Sequence, residues 1–226
     1  LQADGIQAGI EAHRRNKATC MGSLYWQLND CWPGASWSSI DYYGKWKALH
    51  YRVKDAFKPV IVSHDFLDSN LNVIVVSDLK ESLECELEIK LLNFNSEIPI
   101  KKWNQQIKIK PFESLMVKSL AAEELKENKN NTYVKLILKN KGNIISSKNI
   151  FFLPNKELKL PKPNLTFEAN IDSSLNKLYV KIKSNYFAKG VYIRTSSKLN
   201  FSENYFDLDA NQEKKVSIDL LPNENL

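Results

Sequence analysis

The sequence predicts a mostly β protein, with two immunoglobulin-like β-sandwich domains in tandem behind a short helix–strand–helix segment. Three observations predict it. Residues 58–153 hold seven short runs of alternating apolar and polar residues, with a turn every 8–15 residues. A proline-punctuated stretch, Leu153-Pro154 to Pro161-Lys162-Pro163, then breaks the pattern before five more such runs. Residues 1–57 differ in kind: five of the seven glycines lie by Gly44, and four of the five tryptophans fall within 26–46. Such shifts mark domain boundaries and divide the chain into 1–57, 58–155 and 156–226.

In the first segment, Ala3, Ile6, Ile10 and His13 fall at helical spacing, and Arg14-Arg15-Asn16-Lys17 suits a helix C-terminus. Met21 to Leu28 is short, apolar and aromatic, and reads as a buried strand of a parallel sheet. A polar, aromatic loop follows from Asn29 to about Tyr43. Trp46, Leu49, Val53 and Phe57 then mark one face of a helix over 43–57. Helix–strand–loop–helix is a piece of α/β architecture, and one parallel strand needs neighbours on both sides. The chain opens without Met or a signal peptide and reads as part of a longer protein.

The strands expected next are Val60–Phe66, Leu71–Ser77, Leu83–Leu91, Ile98–Ile109, Glu113–Ser119, Tyr133–Leu138 and Ile144–Phe152. Cys85 to Leu91 alternates with a strict period of two, one face in and one out. Beyond the prolines the expected strands are Leu165–Ile171, Lys177–Lys183, Gly190–Thr195, Ser202–Asp207 and Lys215–Leu220. Five strands are few for this architecture, and the chain stops at Leu226 straight after one, which leads us to expect that an edge strand is missing at the C-terminus.

Composition excludes several functions. No apolar run reaches the length of a membrane span. The net charge of +6 invites a nucleic-acid reading, but the bases are mixed with acids throughout: seven against five in 1–57, sixteen against thirteen in 58–160, nine against eight in 161–226. Cys20, Cys31 and Cys85 match no zinc spacing, His13, His50 and His64 are scattered, and a disulfide is not expected. No metal or organic cofactor is implied. Lys101-Lys102-Trp103 reads as a half-exposed strand aromatic.

The chemically informative stretch is Met21-Gly22-Ser23-Leu24-Tyr25-Trp26-Gln27-Leu28-Asn29-Asp30-Cys31-Trp32-Pro33, continued by Ser36-Trp37-Ser38-Ser39-Ile40-Asp41-Tyr42-Tyr43-Gly44-Lys45-Trp46. It reads as a strand whose C-terminal end delivers aromatic, amide and carboxylate groups into a loop, where α/β barrels bind their ligands. Indoles cover the apolar face of a sugar ring, and Asn and Asp bond its hydroxyls. The plain alternative is that these tryptophans build core. We assign Trp37 and Trp46 to the core, and Trp26 and Trp32, flanking Asn29-Asp30, to a ligand.

This text, with Lys45-Trp46-Lys47-Ala48-Leu49-His50-Tyr51 after it, resembles the last strand, loop and helix of the catalytic (β/α)8 barrel in β-mannosidases of glycoside hydrolase family 2. Phe201 to Leu208 is similar to the final sandwich of the same enzymes. The resemblance implies a retaining, exo-acting hydrolase of terminal β-D-mannose residues that needs no cofactor. In such an enzyme one carboxylic acid protonates the leaving oxygen while a second carboxylate, about 5–5.5 Å away, attacks the anomeric carbon. The family's two glutamates stand on earlier barrel strands, so the resemblance implies no catalytic residue within this chain. Glu11, the sole glutamate of residues 1–57, sits mid-helix.

By the same carry-over Trp26 floors the sugar subsite, with Asn29, Asp30 and Trp32 on the loop above it. Asp30 and Asp41 are read as loop-shaping or sugar-binding groups. Other sugar specificities within the family, such as β-glucosaminide or β-galactoside, and a non-catalytic carbohydrate-binding or adhesive module built on the sandwiches are the competing readings. The implied partner is a β-mannoside oligosaccharide, and periplasmic or secreted placement suits the enzyme. Two further expectations follow from a barrel segment without its neighbours. Ile6, Ile10, Leu24 and Leu28 should be exposed and promote self-association, and the 43–57 helix should pack on the first sandwich.

Overall fold

The computed structural model describes residues 1–195 and 199–220. Helix α1 (Gln2–Arg15) carries Asp4 in its first turn and His13, Arg14 and Arg15 in its last, the charge order that the helix dipole favours. Helix α2 (Ala48–Ala56) packs against it, and Ala3, Ile10, Leu49, Val53 and Ala56 share a small core.

The first sandwich contains seven strands: β1 (Val60–Leu67), β2 (Asn70–Ser77), β3 (Leu83–Asn93), β4 (Lys101–Ile109), β5 (Ser114–Leu120), β6 (Thr132–Asn140) and β7 (Asn143–Ile150). They form two antiparallel sheets in the orders β1-β2-β5 and β4-β3-β6-β7. Val62, Val73 and Val75 from one sheet meet Cys85, Leu87, Ile89, Leu91 and Leu136 from the other in one buried core. On the outer face of β3, Glu88 is buried among Lys90, Lys102 and Lys139, with salt bridges of 3.0, 2.8 and 2.9 Å. Burial pushes its carboxyl up, but hydrogen bonds from the three lysines outweigh this and hold it at about 2. Trp103 is half-buried at the edge of this core.

The second sandwich has β8 (Leu165–Asp172), β9 (Lys177–Ser184), β10 (Ala188–Val191), β11 (Phe206–Leu208) and β12 (Glu213–Asp219), in the orders β12-β9-β8 and β10-β11. Strands β10 and β11 are shorter than the sequence predicts. Gly190 has φ +64° within an irregular pairing, and the buried Asn204 side chain replaces the ladder beyond it. Its Oδ1 accepts from Ile193 N at 2.8 Å, and its Nδ2 donates to Ile193 O at 2.8 Å. The C-terminal residues 221–226, on which the expectation of a missing edge strand falls, lie outside the described residues. The two sandwiches meet at a buried aromatic cluster of Phe94, Tyr133 and Phe187, where the Tyr133 hydroxyl donates to Asp209 at 2.9 Å.

Residues 1–57 differ from expectation in four ways. Met21 to Leu28 is not a strand: no described strand pairs with it, and only single bridges form, Asn29 with Ile40 and Ile40 with Trp46. A parallel strand takes its hydrogen bonds from both flanks, and a run without such partners stays irregular, with Met21, Leu24, Trp26 and Leu28 exposed. The helix expected over 43–57 begins only at Ala48, because Lys47 is still extended, and Phe57 is its C-cap. Ile10 is buried and Ile6 half-buried under α2, whereas Leu24 and Leu28 are exposed as expected.

The fourth difference is what each helix touches. Helix α1, rather than α2, grips the first sandwich. Buried Glu11 accepts from Ser63 Oγ at 2.7 Å and pairs with Lys148 at 2.6 Å. Arg14 pairs with Asp78 at 2.6 Å, and Lys17 donates to Ser77 O at 3.1 Å. Helix α2 reaches the second sandwich instead: Tyr51 donates to Phe201 O at 3.1 Å and Lys54 to Ser202 O at 3.1 Å.

Candidate functional site

Residues 25–47 form an irregular but well-tied loop system. Ser39 N donates to Gln27 O and Leu28 O at 3.0 and 3.1 Å, Ile40 N to Leu28 O at 2.8 Å, and Asp30 N to Ile40 O at 3.1 Å. Ser38 and Ser39 are fully buried, because their hydroxyls close the loop's backbone: Ser39 Oγ donates to Leu28 O at 2.9 Å and Ser38 Oγ to Ile40 O at 2.9 Å. The Tyr25 hydroxyl and His50 Nδ1 also meet Ser39 Oγ, at 3.0 and 3.1 Å. Burial, with the charge of Lys54, lowers the pKa of His50 and favours its neutral form. The Trp26–Gln27 peptide is cis.

Asp30 is buried and occupied on both oxygens. Its Oδ1 accepts from Ser36 Oγ, and its Oδ2 pairs with Lys47 Nζ at 3.0 Å. Lys47 also donates to Ser38 Oγ at 2.7 Å. The Ser36 hydrogen bond, helped by Lys47 and opposed by burial, holds the Asp30 carboxyl below the usual carboxylate range. Such a group braces a loop. Asp41 likewise folds its own turn, accepting from Tyr43 N and Lys45 N at 2.9 Å each.

What the brace presents is aromatic. Trp26 is 73% exposed, Trp32 74% and Trp37 72%. Asn29 is exposed beside them, with its Oδ1 unbonded among the described residues. Trp37 is therefore not core; it stands out from the loop, while Gln2 Nε2 donates to its carbonyl at 3.0 Å. Trp46 is half-buried against His50 and Tyr51, at ring distances of 4.4 and 5.4 Å. The structure thus gathers Trp26, Asn29, Asp30 and Trp32 on one loop system but divides their work: three are presented to solvent and Asp30 is turned inward. The bracing by Ser36, Ser38 and Lys47 was missed in the sequence, where closely spaced serines beside an aspartate are its one local signal.

Among the described residues no cluster of three or more His, Cys, Asp or Glu could hold a metal ion, and no helix is long and apolar enough to cross a membrane. The three cysteines are free. Glu11 is engaged by Ser63 and Lys148.

Comparison with known proteins places this arrangement. Residues 69–157 match the mannosidase Ig/CBM-like domain, and residues 160–225 an Ig-fold domain found in mannosidases. A β-mannosidase of Capra hircus is 31% identical over 223 residues, covering 91% of this chain and 25% of that protein. β-Mannosidase A of Emericella nidulans is 39% identical over 102 residues, covering 43% of this chain and 11% of that protein. The crystal structure of the β-D-mannosidase from Dictyoglomus thermophilum superposes with a TM-score of 0.85 at 28% identity, over 96% of this chain and 26% of that one. An exo-chitosanase of Amycolatopsis orientalis shares the fold alone, with a TM-score of 0.70 at 15% identity. The chain thus spans a quarter or less of the curated relatives it matches here. It belongs to the β-mannosidases of glycoside hydrolase family 2, and corresponds to their C-terminal region, in which immunoglobulin-like domains follow a small helical part.

Proposed function

We propose that this chain serves a retaining, exo-acting β-mannosidase that removes terminal non-reducing β-D-mannose residues. The observation that carries the reading is similarity along nearly the whole chain, 31% identity over 223 residues to a β-mannosidase. In this reading the nucleophile and the acid/base are glutamates outside residues 1–226, and the chain's part is to bind and orient. Trp26 offers an apolar floor to the sugar ring, Asn29 and Trp32 approach from above, and Asp30 holds the loop through Ser36 and Lys47. Outward-facing Met21, Leu24 and Leu28 form the surface through which the isolated chain self-associates.

The test is release of 4-nitrophenol from β-mannoside, β-galactoside, β-glucoside and β-glucosaminide by the longer protein, with the 226-residue chain as control. Selective turnover of the β-mannoside by the longer protein alone is expected. Turnover of another glycoside overturns the specificity, and activity in the isolated chain overturns the placement of the glutamates.

A further inference from the structure

A second feature lies between residues 41–51, which run from the loop into α2, and residues 192–195 and 199–205 of the second sandwich. A cleft of about 130 Å³ is lined by Lys45, Trp46, Tyr51, Tyr192, Arg194 and Tyr205. The rings run across it in sequence: Trp46 to Tyr51 at 5.4 Å, Tyr51 to Tyr205 at 5.9 Å, and Tyr205 to Tyr192 at 4.8 Å. Tyr192 stacks on Tyr205 at 21° between planes yet is 56% exposed, so one face of its ring is supported and the other is open. Burial pushes the hydroxyls of both Tyr51 and Tyr205 up to about 12, keeping them neutral.

The platform is built at a cost. Tyr205 sits at φ +54°, a left-handed conformation that disfavours a large aromatic residue and persists only when its surroundings hold it. Asn204 does so by accepting from Tyr205 N at 2.9 Å while binding both backbone groups of Ile193. Asn200 fixes the opposite wall, accepting from Trp46 N at 2.8 Å and donating to Gly44 O at 3.1 Å. The side chains of Arg194 and Lys45 line this cleft without a hydrogen bond or ion pair among the described residues.

A supported ring with one open face, beside free multidentate donors, suits a pyranose: its axial C–H face lies on the tyrosine and its hydroxyls accept from arginine and lysine. We propose that this cleft is a saccharide-binding site separate from the Trp26–Trp32 loop, taking one sugar ring of a neutral oligosaccharide on Tyr192. Only the choice of a mannose-based probe rests on the proposed function. Binding is read without turnover, so failure here and failure of the hydrolase reading are distinct results.

The experiment is an amide NMR titration of the 226-residue chain with β-1,4-mannotriose, and with trigalacturonate as an acidic comparison. Saturable shifts at residues 41–51, 192–195 and 199–205 are expected, with a dissociation constant of roughly millimolar order. Tyr192→Ala and Arg194→Ala should each weaken binding about tenfold, which corresponds to loss of one aromatic or charge-assisted contact. Phe167→Ala, exposed on β8, should leave it unchanged. Arg194 is exposed, so its variant keeps the test intact if the tyrosine variant fails to fold. Shifts confined to residues 21–37, no saturable shifts, or binding of the acidic saccharide alone would each overturn the proposal.

Discussion

The first sandwich and the N-terminal segment bury themselves by different means. Among the described residues, sixteen buried apolar side chains from two facing sheets, with Leu125 from the turn before β6, share the core of the first sandwich. Residues 1–57 share a core of five, and much of their hold on the rest of the molecule comes from charged and polar side chains: Glu11, Arg14 and Lys17 on the first sandwich, Lys54 and Tyr51 on the second. The sandwich can be understood from its own sequence. The segment can be understood only with what surrounds it, and Trp26, Trp32 and Trp37 face outward from it.

Substitutions can break that contrast. Leu87→Ala should cost the most, about 3 kcal/mol in urea unfolding, because Leu87 is fully buried between two sheets that cannot close the cavity. Glu11→Ala should cost about 2 kcal/mol by leaving Lys148 without its anion, and should speed tryptic cleavage at Arg14 and Arg15. A loss as large as that of Leu87→Ala, without faster cleavage, would mean that α1 is part of the sandwich core.

Acid sharpens the comparison within the sandwich. The folded pKa of Glu88 is depressed to about 2 from 4.5, so the unfolded chain takes up its proton first. Its stabilisation is complete above about pH 4.5 and falls away as the pH drops towards about 2. Glu88→Gln should flatten that limb of a pH–stability curve, and an unchanged limb would show the three lysines to be ornamental. The smallest effects on stability belong to Trp26→Ala and Trp32→Ala, within about 0.5 kcal/mol because both rings are already in water. The same substitutions should depress β-mannoside turnover in the longer protein. A large stability loss would return these tryptophans to a structural role.

The alternation from Cys85 to Leu91 made β3 legible, since a half-buried strand writes its two faces into neighbouring residues. All seven strands of the first sandwich were recognisable, β2 by its continuous apolar run instead, since it is buried on both faces. Met21–Leu28 looked like a strand for the same compositional reason, but pairing is supplied by other strands and is not encoded in the run itself. In the second sandwich, β10 ended early because Asn204 bonds Ile193 across the gap, a side-chain decision invisible to periodicity. The tryptophans of the candidate site were visible by type. Their division into presented and half-buried rings was not, and Trp37 was misplaced, because exposure depends on the buried serines that tie the loop from beneath.

The Asn200 clamp has a consequence for how the chain is made. Its bond to Trp46 joins residues 154 apart in sequence. A ribosome adding about 5–20 residues per second needs roughly 10–30 s to cover that distance. The first sandwich can complete its sheets during that interval, while loop 41–47 waits without its far wall. The cleft is therefore among the last features of the molecule to close, and its geometry reports that synthesis and docking of the second sandwich have both succeeded.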